Sequence, residues 1–144
     1  MIKVLLKIFF ISFLLNFFWE VSQMGWYSDM GMGSLANYNQ FVKIHWLVST
    51  KDTLMVMLVI SLISLIIKNW SWTERVNKIW LWLLVLPIWQ GIIEYHAVYI
   101  AHRWAYLDAM PLVYGIGLLP LLQMLILPPL AVFLSSAGFG RNKL

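Results

Sequence analysis

Four continuous apolar runs, near residues 4–24, 53–68, 79–101 and 112–134, divide this chain, with polar punctuation between them. As helix, at about 1.5 Å per residue, such runs approach or exceed the roughly 30 Å of a bilayer's hydrocarbon. The second is the shortest and its edges are the least defined. None alternates apolar and polar residues as a half-buried strand does, and an open sheet edge could not satisfy its backbone in lipid. The pattern predicts an all-α polytopic membrane protein. It would be a single domain over 1–144, a bundle of four transmembrane helices with a longer segment, 25–50, between the first two.

The first run ends in NFFWEVSQMGWY, residues 16–27, where polar residues stand among aromatic ones. Ser12, Asn16, Glu20, Gln23 and Tyr27 recur at spacings of four, four, three and four, which places them on one helical face. On the third run Gln90 and Glu94 are four apart, and their stripe continues through Ala97 and Ala101, small enough to let a neighbouring helix approach. His102 flanks that stripe. Counted from Asp29 and Arg103, Glu20 and Glu94 each lie roughly 13 Å beneath the same membrane boundary. A charge in a membrane helix costs at least about 2.5 kcal/mol and turns toward a partner or a wet cavity, so two carboxyls at matched depth point to a shared site. Asp29, His45, Asp52, His96, His102, Arg103 and Asp108 gather toward the same end, which favours a pocket open on one side over a through-pathway.

Composition agrees with the pattern: 62% of residues are hydrophobic, 11% are charged, and the mean hydropathy is +0.80. Lys3 and Lys7 ahead of an apolar core resemble a signal peptide, but no small-x-small cleavage site follows, so the first run reads as a retained span. Lys3, Lys7, Lys68, Arg75, Lys78, Arg141 and Lys143 fall on one side of the four spans, against Lys43, Lys51 and Arg103 on the other. Because short cytoplasmic loops carry the basic excess, both termini are expected in the cytoplasm and the chain in the cell inner membrane. The net charge of +4 then follows from topology. Basic residues are spread singly, without the cluster that a nucleic-acid partner would need. The absence of cysteine removes disulfides, thiolate metal sites and cysteine nucleophiles.

Residues 69–77, NWSWTERVN, read as a tight cytoplasmic turn with Trp70 and Trp72 as interfacial anchors. STKD, 49–52, has the form of a capping box with Ser49 as N-cap; an equally fair reading starts the second helix near Asn39, which puts His45 and Asp52, seven apart, on one face. In the fourth run Pro111 suits a first helical turn, whereas Pro120 would free the carbonyl of Ile116 and kink the helix, with Gln123 as a donor near mid-membrane. His96 could join Glu94 only if a kink at Pro87 rotated that segment. Each feature also has a plainer reading. Glu20 and Glu94 can be structural hydrogen-bonding groups, Asp52 a cap, the histidines interfacial, Arg103 an outer anchor, and the fourth span merely kinked.

NFFWEVSQ, the spaced His45 and Asp52, RWAYLDAMP at 103–111 and GIGLLPLLQ at 115–123 together resemble small four-span bacterial membrane proteins that carry no assigned activity. More remotely, short spans with embedded carboxylates and tryptophan are similar to the emopamil-binding (EXPERA) sterol isomerase superfamily and to small carotenoid cyclases. That resemblance implies protonation of a carbon–carbon double bond in a lipid-soluble substrate by an acidic residue, at the level of fold alone.

Three functions fit these residues. The first is an enzyme or binding protein for a lipid-soluble small molecule, with Glu20 and Glu94 as catalytic acid and base. Asn16, Gln23, His45, Asp52, Gln90, His102, Tyr106 and Gln123 would bind the ligand. The second is a metal or haem site drawn from Glu20, His45, Asp52, Glu94 and His102, which have suitable ligand chemistry but no metal-binding spacing. The third is an accessory subunit packed by its tryptophan-rich faces into a larger membrane complex or homo-oligomer. Classical transport fits poorly, since four spans without a repeat do not make two rocking halves.

Overall fold

A computed structural model describes residues 2–28, 38–69 and 84–136. Four helices occur among them: α1 Ile2–Gln23, α2 Tyr38–Ile66, α3 Val85–Tyr95 and α4 Leu118–Ser136. A 3-10 turn, Met24–Trp26, prolongs α1, and a π-helical turn, His96–Ile100, prolongs α3. Two short antiparallel pairs cover one end: β1 Tyr27–Ser28 with β2 Ala105–Tyr106, and β3 Leu112–Val113 with β4 Ile116–Gly117. Ile2–Trp26, Tyr38–Ile66 and Leu118–Ser136 are long and apolar enough to cross a membrane. The predicted third run is described from residue 84 onward, as α3 and its π turn. Residues 79–83 lie outside the described residues, as do Asp29, most of the turn at 69–77, and the basic residues Arg75, Lys78, Arg141 and Lys143.

The second helix starts at Tyr38, not near 53, so the early-start reading holds and the segment 25–50 is half helix. Ser49 and Asp52 are therefore mid-helix and cap nothing; both are buried on its inner face. No glycine or proline interrupts 38–66, and inward polar residues had disguised this stretch as loop. The fourth helix begins at Leu118 rather than 112, because LVYGIG forms a hairpin instead. Tyr114 (φ 51) and Gly115 (φ 81) both lie in the left-handed region, as a type I′ turn requires. Pro111 accordingly precedes the hairpin, where its carbonyl accepts the Leu118 N–H at 2.8 Å. Pro120 falls in the first turn of α4, whose N–H groups have no intrahelical partner, so no carbonyl is freed there. The interior prolines are Pro128 and Pro129. Pro87 likewise sits in the first turn of α3, and the departure from α-geometry comes later, where the Ala101 N–H reaches back five residues to the His96 carbonyl at 2.8 Å.

α1 packs against both α2 and α4, and α3 packs against α4. An apolar cluster formed by Ile8, Val56, Ile60, Ile63, Leu86, Met124 and Val132 holds one part of the bundle. Farther along α1, Asn16, Glu20 and Gln23 are buried, while Phe10, Leu14 and Phe18 are more than half exposed. Polar inside and apolar outside is the arrangement expected where lipid replaces water as solvent. Two buried hydroxyls of α2 return to their own backbone: Thr53 donates to the Ser49 carbonyl at 2.7 Å and Ser64 to that of Ile60 at 2.8 Å.

Candidate functional site

The stripe read from α1 is its buried face. Ser12, Asn16, Glu20, Gln23 and Tyr27 are all buried. Asn16 spends its Nδ2 on the Ser12 carbonyl at 2.9 Å, which leaves Oδ1 to accept from Gln123 Nε2 at 3.0 Å. Gln123 Nε2 also donates to Asp52 Oδ2 at 3.0 Å, and its Oε1 accepts from Gln23 Nε2 at 3.3 Å. Gln23 Nε2 in turn donates to Glu20 Oε1 at 2.9 Å, and Trp19 Nε1 donates to Gln23 Oε1 at 3.2 Å. The carboxyls of Glu20 and Asp52 are near enough to interact with each other, and both line the same cavity. Three helices thus meet in one polar network.

Glu94 anchors a second group. Its Oε2 accepts from the Tyr106 hydroxyl at 2.7 Å and from Trp104 Nε1 at 3.4 Å, while Gln90 Nε2 approaches Oε1 at 3.5 Å. Trp104 and Tyr106 reach the same carboxyl because alternate residues of an extended strand point the same way. The β1–β2 pairing sets Tyr27 opposite Tyr106, with ring centroids 5.5 Å apart. Tyr106 also accepts from the Gly117 backbone N–H. Gly117 makes that seat: a Cβ there would stand 3.0 Å from Tyr106 Cε1 and 3.3 Å from Pro120 Cδ. Burial pushes the phenols of Tyr27 and Tyr106 above the ordinary tyrosine range, and the Glu94 carboxylate adds to the shift.

Both groups face one cavity of about 160 Å³. Glu20, Asp52 and Glu94 line it with Gln23 and Gln90; Met24, Tyr27, Val48, Ile93 and Trp104 supply most of the apolar wall; Lys51 and Arg103 complete it. Asn16, Gln123 and Tyr106 stand behind the lining and position it. His45 and His102 do not line the cavity. His45 is buried on α2 with its Nδ1 bonded to the Phe41 carbonyl at 2.9 Å, and His102, at φ 47, is exposed, as is His96. Of the five residues considered as metal ligands, Glu20, Asp52 and Glu94 line the cavity and the two histidines do not, and no group of three such side chains suited to a metal occurs among the described residues.

Asp52 emerges as a member of the carboxyl cluster rather than a cap. Trp104 and Lys51 were not singled out from sequence as site residues; the alternation of Trp104 and Tyr106 in RWAYLDAMP was the available signal for the first. Glu20 and Asp52 offer two neighbouring carboxyls, and Glu94 a separate carboxyl held by two donors. Across one small cavity these can donate and accept a proton. No protein-family model, curated protein or solved structure matches this chain.

Proposed function

We propose that this chain is a four-span protein of the cell inner membrane, with both termini cytoplasmic, that binds a lipid-soluble small molecule and acts on it by acid–base chemistry. The observation that carries this reading is the convergence of three buried carboxyls, from α1, α2 and α3, on one cavity. α3 and the apolar residues preceding it would make the fourth span, and the bias of basic residues supports a cavity at the outer side. Ionisable residues inside a membrane bundle are costly and most often mark a functional site, which supports this reading. The Glu20–Asp52 pair holds the proton to be delivered; Glu94, fixed by Tyr106 and Trp104, receives the one released. The cavity is too small for a whole lipid and suits the reacting portion of one.

The test separates stability from function. Glutamine keeps the shape and most hydrogen bonding of glutamate, and membrane hydrogen bonds average only about 0.6 kcal/mol. Glu20→Gln and Glu94→Gln are therefore expected to unfold within a few degrees of the parent in detergent. Mass spectrometry of lipid extracts from the purified proteins should show a compound retained by the parent and lost from both variants. If the extracts are identical, or if Glu20→Gln does not fold, the carboxyls are structural and an accessory role in a larger complex becomes the better account.

A further inference from the structure

The polar network leaves two cations unused. Lys51 and Arg103 line the cavity beside Glu20, Asp52 and Glu94, yet among the described residues neither forms an ion pair with them. The carboxyls are already engaged: Glu20 with Gln23, Asp52 with Gln123, and Glu94 with Tyr106 and Trp104. Lys51 stands midway along α2, a helix long enough to cross a membrane. An ammonium in such a helix is unfavourable unless it reaches water or an anion. Arg103 follows the π turn, its own N–H tied to the Ala97 carbonyl at 2.8 Å, so its starting point is fixed. Both residues are exposed enough to meet an arriving group.

Guanidinium takes phosphate or carboxylate by two parallel hydrogen bonds, and ammonium adds a point charge. The remaining wall is apolar. A void of about 150 Å³ holds a benzene-sized molecule, so this cavity takes a head group and its first carbons. Ile93 in the wall is 39% exposed, which gives the cavity an apolar edge on the outer surface of α3. Each of the three carboxyls already accepts from a neutral donor, which leaves the two cations to meet an arriving anion.

We infer that the cavity takes a single-chain anionic amphiphile, its phosphate or carboxylate head between Lys51 and Arg103 and its chain leaving past Ile93 into lipid. This rests on the acid–base reading and names its substrate class. The purified protein, in a non-ionic detergent, would be titrated with dodecyl phosphate, dodecanol, dodecyltrimethylammonium and inorganic phosphate, with binding read by native mass spectrometry. Dodecyl phosphate is expected to bind about tenfold or more tightly than the other three. Lys51→Gln and Arg103→Gln should each weaken it about tenfold with helicity unchanged, whereas Lys51→Arg should keep most of it. Equal binding of inorganic phosphate would mean a free-anion site and overturn the amphiphile. Failure of dodecyl phosphate to bind, or indifference to both cation variants, overturns the inference as a whole. Dodecanol binding that depends on Glu20 alone would sink this inference and leave the acid–base reading standing; dodecyl phosphate binding that needs the cations but ignores Glu20→Gln would do the opposite.

Discussion

Gln123 donates through one Nε2 to Asn16 and Asp52 and accepts from Gln23 through Oε1, so a single carboxamide ties α4 to α1 and α2. Leucine at this position would keep the bulk and leave those buried partners short of hydrogen bonds, at about 1–3 kcal/mol for each group left unsatisfied. Gln123→Leu is expected to lower the unfolding free energy in detergent by about 2 kcal/mol or more; a neutral result would mean water replaces the amide. Tyr27 and Tyr106 make a different kind of claim. Their phenols ionise later than ordinary tyrosine in the folded chain, so the stability they contribute is complete below about pH 10 and declines above it, as the unfolded chain begins to ionise. An alkaline titration followed at 295 nm should show a late-ionising fraction that shrinks in Tyr106→Phe. At this scale the sequence was most legible where spacing decides orientation: the four-four-three-four stripe on α1 named its buried face. It was least legible where partners are distant in the chain, since nothing in Gln123 announces that it bonds residues 107 and 71 positions away.

Among the elements, helices were readable and their ends were not. The start of α2 was hidden because its inward residues are polar, and the start of α4 because a tyrosine occupies the first left-handed position of a type I′ turn where Asn or Gly would have signalled a hairpin. The β3–β4 hairpin carries function indirectly. Gly117 at its end leaves just enough room for Tyr106, and Tyr106 holds Glu94. Gly117→Ala should displace the ring by a few tenths of an ångström or more and loosen the Glu94 hydrogen bond. The expected phenotype is a loss of the ligand retained by the parent, together with less late-ionising tyrosine, while global helicity persists. Retention of both properties would show that Tyr106 can shift without consequence. The π turn of α3 acts similarly, since the backbone after it leads directly into Trp104 and Tyr106.

For the molecule as a whole, the apolar runs and the polar stripes together prescribed a helical bundle with apolar residues outside and hydrogen bonds inside, and the described residues are arranged in that way. Orientation remains the testable part. The chain has no cysteine, so single cysteines report unambiguously. In intact cells, a membrane-impermeant thiol reagent is expected to label Asn39→Cys and spare Asn69→Cys; the reverse pattern would turn the cavity toward the cytoplasm. The Gln23–Gln123 bond spans 100 residues of sequence, and that separation becomes a delay during synthesis. At roughly 5–20 residues per second, α4 leaves the ribosome about 5–20 s after α1. Until then Asn16, Glu20 and Asp52 sit in newly inserted helices without the amide that later joins them. Completion of the polar network thus waits for α4, and a chain truncated before residue 118 would lack the amide that joins Asn16 to Asp52.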